Sequence, residues 1–227
     1  MGNKKQKKNS NYKQNFDVKN EAEARDKRKN LIITIVCSVI GALFVGGMII
    51  GIVASTLPKL YYVEMDFGEY GSIVIEVDGK EAPRTADNFM KLVNDGFYDG
   101  LTIFRAEKDF VIQGGRDFDV NLAPIVGEFA ANGYENDISH LRGVISMART
   151  NDPNSATSQF FITLHDQATR FLDGKYAAFG KVVEGMDVVD AIAEALMECS
   201  SDGMGFVDNA DDEIEIVSAK QLKNYKK

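Results

Sequence analysis

Between Leu31 and Pro58 the chain runs LIITIVCSVIGALFVGGMIIGIVASTLP without one charged residue. Roughly 20 apolar residues suffice to cross the hydrocarbon core of a bilayer as a helix. The run therefore predicts a membrane helix over residues 31–54 and divides the chain into a tail before it and a domain after it. Glycines at 41, 46, 47 and 51 would weaken a helix in water. They are common in membrane helices, where every backbone group is satisfied internally. The tail, residues 1–30, carries ten Lys/Arg against four Asp/Glu. That is a balance of +6, which leaves −14 for the rest of a chain whose net charge is −8. Basic flanks stay cytoplasmic, so the reading is a single-pass protein of the cell membrane with its acidic domain outside. A linker over residues 55–60 reaches at most about 20 Å and holds that domain close to the bilayer.

A cleaved signal peptide is the alternative, and it would release a secreted domain. Its apolar core is shorter, and Val53-Ala54-Ser55 is a weak exit, so length and flanks favour the uncleaved anchor. Cys37 follows Val36 and does not fit a lipoprotein cysteine, and Gln6 stands where myristoylation of Gly2 wants Ser or Thr. Gly47 and Gly51 have GxxxG spacing, which in such a run more often tolerates lipid than specifies a dimer.

The acidic balance after residue 30 argues against nucleic acid as a partner, since phosphate contacts need Lys and Arg. Two cysteines, one of them in the apolar run, give no disulfide framework within the domain, and with two histidines they give no zinc site. Asp208, Asp211, Asp212 and Glu213 miss the spacing of a calcium loop. No metal and no cofactor is expected.

After residue 60 the pattern turns to alternation. YYVEMDF and SIVIEV, separated by Gly68 to Gly71, read as a hairpin. Thr85 is placed to cap a helix with Ala86, Phe89, Met90 and Val93 on one side and Gly96 at its end. Short strands follow at LTIF, FVIQ, GVISMA, SQFFITL and YAAFGKVV. An amphipathic helix over 186–197 carries Val188, Val189, Ile192 and Leu196, and EIEIV at 213–217 makes a last strand. Many short strands, two helices and no βαβ rhythm favour a closed β-barrel capped by helices.

Residues 104–115, FRAEKDFVIQGG, set one arginine before an apolar triplet and a glutamine, with no nucleophile and no obvious general base. Alone, the stretch would be surface charge beside core. It lies within APRTADNFMKLVNDGFYDGLTIFRAEKDFVIQGG (82–115), which is followed by SMARTNDPNSATSQFFITL (146–164) and FLDGKYAAFGKVVEGMDVVDAI (171–192). These three ordered blocks resemble the signature blocks of the cyclophilins, the peptidyl-prolyl cis-trans isomerases. The resemblance spans 61–219, leaving 220–227 as a C-terminal tail. It implies an eight-stranded antiparallel barrel capped by two helices, mainly β.

The resemblance also implies roles. Arg105 falls at the family's catalytic arginine, Phe110 at the floor of its proline pocket and Gln113 at the glutamine that bonds the substrate backbone. Ala148 and Arg149 match the strand edge that pairs with bound peptide. Gln159 and Phe161 match a polar contact and a pocket wall, and Leu172 the apolar rim. Phe160 and Phe161 alternate on a strand, so one faces the core; the resemblance selects Phe161 for the cleft. Val111 replaces a usual methionine. Phe171 stands where many members carry a tryptophan that contacts cyclosporin, and Tyr176 where many carry histidine, a bacterial-type pattern shared by DPNSATSQFF. After Gly115 the chain departs from the family, running RDFDVNLAPIVGEF.

Rotation of an X-Pro bond breaks nothing covalent, so it needs no nucleophile. The implied substrates are proline-containing unfolded or nascent exported polypeptides. The alternative from another class is a non-catalytic proline-peptide binding module or chaperone that uses the same cleft. His140 and His165 have no use in such a reaction and read as structural.

Overall fold

The first alternating run folds as an antiparallel pair, β1 (Leu60–Asp66) and β2 (Ser72–Asp78), joined by a single 3-10 turn at Gly68–Tyr70. Val63 and Met65 on β1 meet Ile73, Ile75 and Val77 on β2 inside the core, all fully buried. The computed structural model describes residues 28, 34–42, 60–201 and 203–225. The chain divides into two units, Met1–Leu57 and Pro58–Lys227.

In the first unit residues 34–42 are helical, and Ser38 Oγ donates to the Thr34 carbonyl at 2.8 Å. Apart from those residues and Arg28, the expected tail, membrane helix and most of the linker lie outside the described residues. Among the described residues no helix is long and apolar enough to cross a membrane.

In the second unit the remaining strands are β3 (Thr102–Glu107), β4 (Val111–Gly114), β5 (Val144–Met147), β6 (Phe160–Thr163), β7 (Ala178–Glu184), β8 (Ile214–Glu215) and β9 (Ser218–Gln221). All described pairings are antiparallel, in the order β8-β3-β4-β6-β5-β7-β2-β1-β9. The expected eight strands are therefore nine among the described residues: the last strand expected at 213–217 is only β8, and β9 follows it in the stretch 218–221. Ile216 N donates to Leu101 O on the β3 side at 2.7 Å, and the next amide, Val217 N, donates to Asp66 O on the β1 side at 2.8 Å. One segment thus pairs with both ends of the sheet and curls it into a barrel. β9 runs through Gln221, across the expected boundary at 219, and Tyr225 packs its ring on Tyr62.

Among the described residues three α-helices accompany the sheet: α1 (Pro83–Asn94), the single turn α2 (Thr169–Leu172), and α3 (Met186–Glu198). The two long ones are those expected, and each buries its stripe in the barrel core. Phe89, Met90 and Val93 do so from α1, and Val189, Ile192 and Leu196 from α3. The start of α1 differs from the expectation. Its N-cap is Ala82, with Pro83 in the first helical position, where the missing N–H costs nothing. Thr85 is buried in the first turn. Its N–H and hydroxyl both donate to one oxygen of Glu128 at 2.8 Å, and Arg84 N donates to the other at 3.2 Å. A carboxylate from 43 residues away therefore takes the capping role at the positive end of the helix.

Candidate active site

Register places the site. In the antiparallel ladders Arg105 on β3 faces Gln113 on β4, and Gln113 faces Phe161 on β6. Residues directly opposite one another share a face of the sheet, so these three form a row across three strands on the outside of the barrel. A bulge between Ile103 and Arg105 turns Phe104 outward too. Alternation on β6 then separates the two phenylalanines. Phe160 is fully buried in the barrel core, whereas Phe161 belongs to an outer cluster with Val111, Ala168 and Leu172, flanked by Phe110, Ala148 and Tyr176.

That cluster forms the wall of an open cleft of about 130 Å³, lined by Arg105, Phe110, Val111, Gln113, Ala148, Arg149, Phe161, Leu172 and Tyr176. The volume is close to the ~150 Å³ that accommodates a benzene ring in an apolar cavity, so one five-membered ring fits. No Ser, Cys, His, Asp or Glu is among the lining residues. Of the residues expected from the sequence, two stand outside the lining. Gln159 sits one bond away, its Oε1 accepting from Gln113 Nε2 at 3.0 Å. Phe171, on α2, is 63% exposed and meets Phe110 edge-on with ring centres 6.3 Å apart.

The polar groups are held in fixed directions. Arg105 donates through Nη1 to Gln113 Oε1 at 3.1 Å, through Nε to the Met204 carbonyl at 2.9 Å, and through Nη2 to Glu107 Oε2. Gln113, accepting from Arg105 and donating to Gln159, has its amide orientation set from both sides. Arg149 lies over the rings of Tyr176 (4.5 Å) and Phe129 (5.2 Å), with its guanidinium on the Lys175 and Thr150 carbonyls. Ala148 N donates to Gln159 O at 2.9 Å.

Behind the cleft, His140 stacks on Phe161 with ring centres 6.0 Å apart and planes 19° off parallel. Its Nδ1 and its backbone N–H both meet Asp173 Oδ1, at 2.8 and 2.7 Å. Burial holds the His140 imidazole below the usual histidine range, against the opposing pull of Asp173. For Asp173, burial pushes upward, but the bonds from Ser139, the His140 amide and the His140 ring outweigh it and hold the carboxyl below its usual range.

Glu107, Phe206 and His140 were not anticipated as parts of the site. Glu107 carried a signal, since two residues along a strand return to the same face as Arg105. Phe206 carried none. Its segment reaches β3 from about 100 residues away, where Ala106 N donates to Gly205 O (2.8 Å), Val207 N donates to Phe104 O (3.2 Å), and Phe206 bridges Arg105.

A family model described as cyclophilin type peptidyl-prolyl cis-trans isomerase/CLD matches residues 62–221. A peptidyl-prolyl cis-trans isomerase of Streptomyces antibioticus is 47% identical over 133 residues, covering 54% of this chain and 77% of its own length. One from Acinetobacter baylyi is 43% identical over 164 residues, covering 67% and 80%. Among solved structures, a cyclophilin type peptidyl-prolyl cis-trans isomerase of Cryptosporidium parvum superposes with a TM-score of 0.60 at 25% identity, covering 74% of this chain and all of its own. A crystal structure of the same protein in the presence of the dipeptide Ala-Pro gives 0.57 at 26%, covering 72% and 99%.

Proposed function

The chain belongs to the cyclophilin-type peptidyl-prolyl cis-trans isomerases and is an isomerase of that kind; from that premise we propose that Arg105 drives the rotation, inside an apolar pocket, on polypeptides exported across the membrane that anchors the chain. The observation that carries the mechanism is the row Arg105, Gln113 and Phe161 at a ring-sized cleft whose lining holds no Ser, Cys, His, Asp or Glu.

Resonance opposes rotation about a peptide bond with a barrier of ~18–20 kcal/mol. For X-Pro bonds both isomers are accessible, yet exchange takes tens to hundreds of seconds. A catalyst must favour the twisted amide, in which the prolyl nitrogen has regained a lone pair, over either planar form. Arg105 can donate to that lone pair and stays charged at any working pH. Such a bond contributes about 1.5–3 kcal/mol, whereas a roughly hundred-thousandfold acceleration needs about 7 kcal/mol. The remainder comes from Phe110, Val111, Phe161 and Leu172, which remove water from the amide, and from Gln113 and the Ala148–Arg149 edge, which fix one side of the bond so that the other turns. The Ala-Pro dipeptide present with the Cryptosporidium parvum relative supports proline as the residue for the pocket.

Arg105→Lys keeps the charge and loses the planar fork. Measured on the full-length chain in mild detergent with an X-Pro tetrapeptide, it should lower kcat about tenfold or more with little change in KM. A wild-type kcat in the lysine variant would overturn the guanidinium mechanism.

The anchor is supported by the uncharged 31–58 run and the basic tail. The described helical part of that run also presents Ile35, Val36, Val39 and Ile40 outward, and Ser38 bonds back to its own helix, a satisfied arrangement in lipid. Protease added to spheroplasts should degrade the 61–227 domain and spare the tail. The reverse pattern would place the isomerase inside the cell. Tyr176 and the DPNSATSQFF segment support a bacterial-type member of the family.

A further inference from the structure

Beside the cleft, the outer face of the barrel carries alternating guanidinium and aromatic groups, of which the rotation of the X-Pro bond uses only the first, Arg105. The Arg105 guanidinium carbon lies 5.1 Å from the centre of the Phe206 ring. Phe206 stacks on Phe104 at 6.3 Å with planes 16° apart. Arg116 lies 4.0 Å over the Phe104 ring and 4.9 Å from the centre of Phe118. The ladder is therefore continuous from the cleft outward, and its outer rungs come from the stretch where the chain leaves the family pattern.

Both cations are already ion-paired, Arg105 with Glu107 and Arg116 with Glu213, whose Oε1 accepts from Arg116 Nη2 at 2.9 Å. What the ladder offers is apolar ring surface. Phe118 is 83% exposed, Met204 59% and Phe206 39%. Large apolar groups gathered at one exposed place mark a contact with something outside the fold. The occupant is set by continuity with the cleft, because the chain on either side of a bound X-Pro bond has to leave across the neighbouring surface, and on the Arg105 side that surface is this ladder. Asp117 and Asp119 flank Phe118 in the sequence, so acidic substrate residues are disfavoured there.

We propose that Phe206, Arg116 and Phe118 form an extended subsite that selects polypeptide substrates carrying an aromatic side chain about three to six residues from the X-Pro bond, the reach of the ladder at ~3.3 Å per residue. This inference rests on the cleft being the place where the X-Pro bond turns.

The test uses the full-length chain and peptides with one X-Pro core, in which Phe, Ala or Glu is stepped two to eight residues away on either side. In the wild type, kcat/KM for Phe should exceed that for Ala by about two- to tenfold, the range of one aromatic contact. This preference should occur on one side only and only three to six residues away, with Glu poorer than Ala. In Phe118→Ser, which removes an exposed ring and leaves the core intact, the Phe-to-Ala ratio should fall toward one, and a ratio cancels any general loss of activity. A ratio near one at every position in the wild type, or a preference that survives Phe118→Ser, overturns the subsite. Failure of the underlying reading is seen separately, as an Arg105→Ala chain that isomerises the short core peptide at the wild-type rate.

Discussion

Arg105 approaches its substrate with three of its five N–H donors already engaged among the described residues, on Gln113, Met204 and Glu107. The two left belong to the two terminal nitrogens, and the fork is thereby aimed before substrate arrives. Glu107 is a partly exposed partner, so its bond is worth little to folding. Glu107→Gln should leave the melting temperature nearly unchanged and lower kcat by about two- to fivefold. Steady-state kinetics alongside thermal unfolding separate the two effects, and an unchanged kcat would leave Glu107 a bystander. His140 gives a pH prediction of definite sign. Its folded pKa lies below the unfolded value of about 6.5. The unfolded chain therefore binds a proton that the folded chain refuses as pH falls through that range. The contribution of a neutral His140 is complete above about pH 6.5 and is lost as pH drops toward the folded pKa. Melting temperature should fall over that window in the wild type and fall less in His140→Gln. An imidazole already charged at pH 6.5 in an NMR titration would contradict the assignment.

Sheet register, not loop composition, assembles the site, and this decides what could be read from the sequence. The row Arg105, Gln113 and Phe161 was legible because short strands at LTIF, FVIQ and SQFFITL followed from the sequence pattern and the three family blocks assigned the residues to one site. The choice between Phe160 and Phe161 was not fixed by alternation alone, which says only that they face opposite ways. In the structure Phe160 touches Phe89 and Tyr98 in the core. Phe160→Ala should cost about 3–5 kcal/mol in urea unfolding, whereas Phe161→Leu should chiefly raise KM. Two features were beyond local pattern. Glu128 caps α1 from another part of the chain, and no residue near Thr85 announces it. The strip at 204–207 reaches β3 only because residue 205 is glycine, with φ of +81° and a position where a Cβ would overlap the Ala106 carbonyl. Gly205→Ala should therefore lift the strip from β3 and release Arg105 from Met204 and Phe206. The expected result is a lower kcat with faster guanidinium exchange of Arg105 in NMR spectra.

Across the whole molecule the two units carry different kinds of evidence from the sequence. The second, Pro58–Lys227, holds the barrel and the site, and its fold was legible from period-two strands, two amphipathic helices and ordered blocks. What the sequence did not reveal there is the closure, in which one segment serves both edges through a change of partner at Ile216 and Val217. That choice depends on where distant strand ends lie in space. The first unit is defined by hydropathy and charge, and its proposed role is to keep an acidic isomerase at the outer face of a bilayer, where exported chains emerge. The central proposal is that this site turns an X-Pro bond through Arg105 without forming or breaking a covalent bond. The direct measurement is exchange NMR of an X-Pro peptide with catalytic amounts of the full-length chain. Cis and trans signals should exchange far faster than the uncatalysed rate at an unchanged cis-to-trans ratio, and Arg105→Ala should remove about 10- to 100-fold of the acceleration while still binding peptide. Exchange at the uncatalysed rate with the wild type, or full acceleration in Arg105→Ala, would contradict it.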